Sequence, residues 1–256
     1  MTIVRAKKHL GQHFLKEDGT AQRIAESLTG HGGYTHVIEV GPGTGALTKH
    51  LIALGKYDFT CFEVDTESIA YLEKNHPGLR VIQRDFLRAD LSRVTEGPLA
   101  VIGNFPYNIS TQIVFKVLEE RHRVTEMVGM FQKEVADRIC APPGSRTYGI
   151  TSVLAQAWYH CDPLFIVEPN SFIPPPKVRS AVIRLRRNDT MKLDCDEVML
   201  YQVVKTAFNQ RRKMLGNALK NFAPLVNGVP ERYAKLRAEQ LSVVDFVALT
   251  QGCEAP

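Results

Sequence analysis

Asn104, Phe105, Pro106 and Tyr107 follow one another at the end of an apolar run, LAVIGN (99–104). An amide, a proline and an aromatic in that order suit a poor nucleophile that must be held and polarised. The exocyclic amine of adenine is one, because its lone pair is delocalised into the ring. Two acceptors on its N–H groups draw the nitrogen toward tetrahedral geometry and free the lone pair. The Asn104 side-chain oxygen and the Phe105 carbonyl can be those acceptors. Pro106 fixes the turn that aims the carbonyl, and the Tyr107 ring can stack on the base. Flipping a base costs a few kcal/mol, and stacking returns about 1–3 kcal/mol per aromatic contact. A second stacker is therefore expected, and Phe172 in FIPPP is the candidate. Aligning the amine with its electrophile can lower a barrier by ~7–11 kcal/mol, so no strong general base is required. Standing alone, the same four residues also read as a turn.

A second group of residues suits the binding of a nucleoside-containing cofactor. Glu39-Val40-Gly41-Pro42-Gly43-Thr44-Gly45 closes a predicted strand and opens a predicted helix. Glycines there let the backbone turn sharply and approach a ligand. Glu63 ends the next strand, where a carboxylate can accept from ribose hydroxyls. Asp85 ends the strand after that, can meet an adenine amino group, and is followed by Phe86. Two cofactors fit. GPGTGA matches the dinucleotide fingerprint with Ala in the last place. An acidic residue two positions before the first of three alternating glycines matches S-adenosylmethionine enzymes. A tight strand–helix turn and a strand-terminating cap are the purely structural readings of the same residues.

Positioning these groups takes a regular scaffold. Apolar runs at 37–40, 59–64, 79–85, 99–104 and 127–131 alternate with helical patterns. In the helix after Asn104, Ile113, Val114, Val117 and Leu118 share one face. This order predicts a parallel sheet with helices on both faces. Gly41, Glu63, Asp85 and Asn104 then fall at the carboxyl ends of four successive strands, where open α/β sheets bind ligands. Two more runs follow, 163–168 and 180–187; in the second, Ala181, Ile183 and Leu185 alternate with arginines. The segment 170–177 between them cannot be a central strand, because its three prolines lack donors. Residues 196–256 read as helices, which predicts a sheet domain over 1–188 and a small helical domain over 189–256.

The 256 residues, 44% hydrophobic and 23% charged, exclude a disordered or collagen-like chain. No apolar run approaches the roughly 20 residues of a membrane helix, and the N-terminus lacks the pattern of a secretory signal. Five cysteines without a CxxC pair argue against a disulfide framework or a zinc site and for a reducing compartment, the cytoplasm. None follows a proline or sits in the 104–107 segment, as a nucleophile for carbon-5 methylation of a pyrimidine would. His9 and His13 have the spacing of a metal pair but no further ligand, so no metal is expected. The net charge is +5, and the cations cluster. Residues 1–16 and 205–220 hold no acid, and Arg179, Arg184, Arg186 and Arg187 crowd a short run between them. Such clusters point to a nucleic-acid partner.

With these residues in view, the chain resembles the ribosomal RNA adenine N6,N6-dimethyltransferases, and among them the bacterial small-subunit enzymes. The matching stretches are 9–15, 39–48, 62–65, 103–111, 132–138, 143–149, 172–185, 207–215 and 236–249, nearly the whole chain. The resemblance implies an α/β fold: a class I S-adenosylmethionine-dependent methyltransferase (Rossmann-like) domain with a small C-terminal all-helical domain. It implies S-adenosylmethionine as methyl donor. The target would be two adjacent adenines near the 3′ end of small-subunit (16S) rRNA, within an assembling 30S particle. It implies a cytoplasmic monomer without a membrane partner. Cofactor contacts would fall on His13, Leu15, Gly41, Gly43, Glu63, Asp85, Phe86 and Asn104. Asn104, Phe105, Pro106 and Tyr107 would hold the amine, with Phe172 on the base, and Arg211, Arg212 and Lys213 would bind RNA. The chain departs from the family at His13, usually Asn, and at Phe105, usually Leu or Ile. Against this stand a large-subunit rRNA methyltransferase of the macrolide-resistance type, an assembly or transcription factor without catalysis, and a dinucleotide-dependent oxidoreductase. The 207–215 and 236–249 matches disfavour the first, intact Glu63, Asp85, Asn104 and Tyr107 the second, and the 104–107 segment the third.

Overall fold

A computed structural model describes residues 4–253. In chain order it contains β1 (Phe14–Leu15), α1 (Asp18–Glu26), β2 (His36–Val40), α2 (Thr48–Leu54), β3 (Asp58–Glu63) and α3 (Thr66–Asn75). Then come β4 (Val81–Gln83), β5 (Leu99–Asn104), α4 (Ser110–Glu119), β6 (Val124–Gln132), α5 (Lys133–Cys140) and α6 (Ile150–Trp158). The chain returns as β7 (Tyr159–Val167), β8 (Phe172–Ile173) and β9 (Ser180–Arg187). It continues as α7 (Glu197–Asn209), α8 (Leu215–Ala218), α9 (Glu231–Ala234) and α10 (Val243–Gln251).

Two compact units result. One comprises residues 1–136 and 160–187, the other 137–159 and 188–256. The second unit resumes at 188, and residues 137–159 fall with its helices. The reason lies in α6. Its sequence, ITSVLAQAW, is buried almost all round, so it needs cover on several sides. It finds this against α7 and α10.

In the first unit, seven strands run in the order β4-β3-β2-β5-β6-β9-β7. Strands β4 to β6 pair in parallel. β2 and β5 are buried along nearly their whole length, as parallel strands covered on both faces must be. The parallel sheet expected from the 37–131 run is extended by β9, which runs antiparallel to β6 from Glu126↔Arg186 to Gln132↔Ser180. The proline-rich segment before β9 contains no crossover helix, and an antiparallel neighbour needs none. β8 lies outside this sheet and pairs with β1. Leu15, Ile24, Val37, Ile102 and Val128 belong to one buried cluster of this unit.

The strand order reverses between β2 and β5. From β2 the chain goes outward through β3 and β4, then crosses back to β5 and β6. Open α/β sheets bind ligands at such a switch point, beyond the carboxyl ends of the strands.

In the second unit, Asp196 caps α7 by accepting from Met199 N at 2.7 Å, and Ser242 and Asp245 form a capping box on α10. Phe208 of α7 lies 6.0 Å from the Tyr148 ring and 5.9 Å from that of Phe246.

Candidate active site

A cavity of about 240 Å³ opens at the switch point. Gly41, Gly43, Glu63, Asp85, Asn104 and Tyr107 all line it. Gly41 and Gly43 take left-handed backbone angles, φ 67° and 55°. A Cβ on Gly43 would also stand 2.8 Å from a ring carbon of Phe14. Both the turn and the close approach thus require glycine.

Glu63 is buried at the end of β3. One of its oxygens accepts from Gly43 N at 3.1 Å, the other from Val64 N at 2.8 Å and Asp65 N at 2.9 Å. Burial raises its pKa, and these three amides partly restore it. The same bonds fix the carboxylate rigidly against the glycine loop. Asp85 turns one oxygen back to Leu87 N at 2.9 Å, which makes it a cap as well as a wall of the cavity. Deeper in, the Glu39 carboxyl is fully enclosed. It accepts from Thr48 Oγ1 at 2.7 Å and from Cys61 Sγ at 3.6 Å. Burial, opposed by those bonds, pushes its pKa up to about 7.

Asn104 donates its Nδ2 to the His13 carbonyl at 2.8 Å. With the nitrogen spent there, Oδ1 is left as an acceptor. The Phe105 carbonyl takes no intramolecular bond among the described residues. Phe105 lines the cavity, yet its side chain is buried, with the residue 1% exposed. It fills the space above Gly103 and Gly129, which pair across β5 and β6, and meets Phe131 edge-on at 5.2 Å. The departure at Phe105 is thus absorbed inside the sheet. The Tyr107 hydroxyl bonds Ser180 Oγ at 2.5 Å, and its ring lies 5.2 Å from the His13 ring at an interplanar angle of 30°. Burial raises the Tyr107 pKa against the Ser180 bond.

Three expected site residues lie elsewhere. Phe172 is 1% exposed in the cluster with Leu15 and Ile24, not at the cavity, so the second stacking ring is corrected. Phe86 is buried edge-on against Phe62 at 5.7 Å. Leu15 backs the glycine loop at a small crevice shared with Glu39 and Asn104. Aromatic and aliphatic residues in motifs are as suited to a core as to a ligand, and sequence does not separate the two.

Sequence reasoning missed the extent of the N-terminal segment. Leu10 to Phe14 all line the cavity. Lys7 bridges Asp65 and Glu67. Asn108 donates to the His9 carbonyl at 3.4 Å. Gly11, at φ 65°, leaves no room for a Cβ beside Asn108 Oδ1 at 2.5 Å. A glycine in a short basic stretch was the available signal.

The expected RNA-binding residues divide by role. In the helical unit, Arg211 Nη2 donates to the Arg146 carbonyl at 2.5 Å, and Nε lies 3.7 Å from Glu239. Lys213 Nζ donates to Gln210 Oε1 at 2.7 Å. Arg212 is exposed. Among the described residues, no group of three or more His, Cys, Asp or Glu could hold a metal ion. No helix there is long and apolar enough to cross a membrane.

Among the described residues, no lysine or arginine lines the cavity, while two carboxylates do. That wall is hostile to a pyrophosphate and favourable to the cationic S-adenosylmethionine. Together with the glycine loop, Glu63 and the reversed strand order, it defines a class I S-adenosylmethionine-dependent methyltransferase. The comparisons agree. Residues 3–235 match the model of the family described as ribosomal RNA adenine dimethylase. The chain is 52% identical to "Ribosomal RNA small subunit methyltransferase A" of Cytophaga hutchinsonii, covering 98% of both chains. It is 50% identical to the protein of the same description from Flavobacterium johnsoniae, covering 100% of this chain and 98% of that one. Among solved structures, a dimethyladenosine transferase from Plasmodium falciparum superposes with a TM-score of 0.75 at 23% identity, covering 93% of this chain and 96% of that one. The 23S rRNA methyltransferase ErmE gives a TM-score of 0.64 at 25% identity, covering 93% and 99%. The chain belongs to the ribosomal RNA adenine dimethylase family.

Proposed function

We propose that this enzyme dimethylates the N6 amines of two adjacent adenosines near the 3′ end of small-subunit rRNA, late in the assembly of the 30S particle, as a cytoplasmic monomer. The observation that carries this reading is the Asn104 amide. Its nitrogen is committed to the His13 carbonyl, so its oxygen and the Phe105 carbonyl are left for the two N–H groups of an amine. Relatives at about half identity carry a small-subunit name, whereas ErmE, with its large-subunit name, stands at 25%.

S-Adenosylmethionine supplies an electrophilic methyl on a sulfonium. Gly41 and Gly43 would admit its amino-acid tail, Glu63 its ribose, and Asp85 its adenine amine. The chain's own residues do the rest. Asn104 Oδ1 and the Phe105 carbonyl hold the target amine and favour its tetrahedral form. Tyr107, fixed at its hydroxyl by Ser180, offers a rigid ring to the base. The helical unit, with Arg212 and Lys213, would bind the RNA backbone.

The test is transfer from labelled S-adenosylmethionine to unmethylated small subunits, large-subunit rRNA and DNA, with products digested to nucleosides. N6,N6-dimethyladenosine from small subunits alone is the expected result. Label in large-subunit rRNA would replace the reading with the resistance-type activity, and binding without transfer would replace it with an assembly factor.

A further inference from the structure

Ile173 ends β8, and residues 174–179, PPPKVR, loop from it to β9, with both ends of this loop fixed to the wall of the active-site cavity. Ile173 pairs with Phe14 across the two-stranded sheet. The Pro174 carbonyl accepts from His13 Nδ1 at 2.7 Å. At the other end, Ser180 holds the Tyr107 hydroxyl. Phe14, His13 and Tyr107 all line the cavity, so the loop is tied at both ends to lining residues, without lining the cavity itself.

What the loop displays there is unusual for a surface turn. Ile173 is 58% exposed and Val178 44% exposed. Lys177 and Arg179 are exposed beside them. No acid occurs between Glu168 and Asp189. Scattered exposed apolar residues need no explanation. Two on one proline-stiffened loop anchored to the cavity wall, with Lys177 and Arg179 flanking the second of them, form a surface suited to unstacked nucleic acid. The prolines fix φ, so little entropy is lost when a ligand orders the loop.

We propose that this loop is a second base-binding site, which holds the nucleotide next to the reacting adenosine. The inference rests on the activity proposed above. When one adenosine leaves the stack, its neighbour loses a partner and exposes a face. Ile173 and Val178 cover that face, and Lys177 and Arg179 take the adjoining phosphates. With two adjacent targets, the lip lies on one side of the reacting nucleotide and so holds the partner adenosine in one of the two reactions. A dimethylated base, richer in apolar surface, suits it better than the unmodified one.

The test compares the unaltered enzyme with the double variant Ile173→Ser/Val178→Ser, with Lys177→Gln, and with Ile52→Ser as a matched exposed apolar control on α2. Each is assayed on unmethylated small subunits, with modification read at each adenosine, and S-adenosylhomocysteine binding is followed by thermal shift. In the double variant KM for subunits should rise about tenfold, equivalent to ~1.4 kcal/mol. Subunits modified at one adenosine only should accumulate, with S-adenosylhomocysteine binding unchanged. Lys177→Gln should lower the salt slope of subunit binding by about one unit, and Ile52→Ser should match the unaltered enzyme. An unchanged KM and an unchanged ratio of singly to doubly modified subunits overturn the lip while leaving the proposed activity standing. If the unaltered enzyme leaves both adenosines unmodified, the activity itself falls and the lip with it.

Discussion

Asn104 has an amide with two ends, and the fold consumes only one. Because the His13 carbonyl takes Nδ2, the acceptor end is presented by construction. Asn104→Ala should reduce transfer at least about a hundredfold, the usual effect of removing one aimed polar group from a reaction centre, while small-subunit binding stays near normal. Label transfer and filter binding check this, and full activity would remove the amine-holding role. Glu39 gives a different kind of prediction. Its carboxyl ionises near its ordinary value of 4.5 in the unfolded chain and at about 7 in the folded one. Folding therefore disfavours the ion, so this contribution to stability is intact below about pH 4.5 and is lost as pH rises through 7. The loss is on the order of 3 kcal/mol. Glu39→Gln cannot ionise, so its Tm relative to the parent should climb by several degrees between pH 5 and pH 8. A pH-independent difference would refute the assignment. Gly41, Glu63, Asp85 and Asn104 were legible in the sequence because chemistry and strand ends coincide there. Phe172 and Phe86 were not, because their burial depends on partners far away in sequence, such as Leu15 for Phe172 and Phe62 for Phe86.

Strands β5 and β6 carry the reactive turn, and their packing sets where it points. Phe105 directs its carbonyl one way because its ring has a place to go the other way, over the paired glycines 103 and 129. A Cβ on Gly129 would sit 2.2 Å from the Phe105 ring. Gly129→Ala should therefore cost about 1–3 kcal/mol by overpacking and lower activity by displacing the carbonyl. Adding Phe105→Leu, the usual family residue, should restore part of both losses, the remainder belonging to Phe131 at 2.8 Å, a coupling that a double-mutant cycle measures. Additive losses would mean that the ring and the glycine do not share that space. The strands themselves were readable from apolar runs and the reactive turn from its residues. The antiparallel return of β9, the β1–β8 pairing and the transfer of α6 to the helical unit were not. Each depends on which partner an apolar face finds, and the period of a single segment says only that a partner is needed.

For the whole molecule, charge separates folding from binding. The acid-free run from 205 to 220 reads in sequence as one RNA-binding patch, yet its members carry different loads. Arg211 is tied to Glu239 and to the Arg146 carbonyl within the helical unit, so its charge is largely used for that unit's own cohesion. Arg212 is exposed, and Lys213 is held outward by Gln210. Arg211→Ala should lower the Tm by a few degrees, the effect of about 1 kcal/mol lost with a half-exposed pair, and change the salt dependence of subunit binding little. Arg212→Ala with Lys213→Ala should leave the Tm alone and reduce the slope of log affinity against log salt by about 2, one phosphate contact for each cation removed. Measuring both quantities on both variants is decisive. If Arg211→Ala also flattens the slope with an unchanged Tm, the ion pair to Glu239 opens on the ribosome and all three cations serve the RNA. If neither variant changes the slope, this run is a solvated face, and the RNA is bound by the basic residues of the sheet unit.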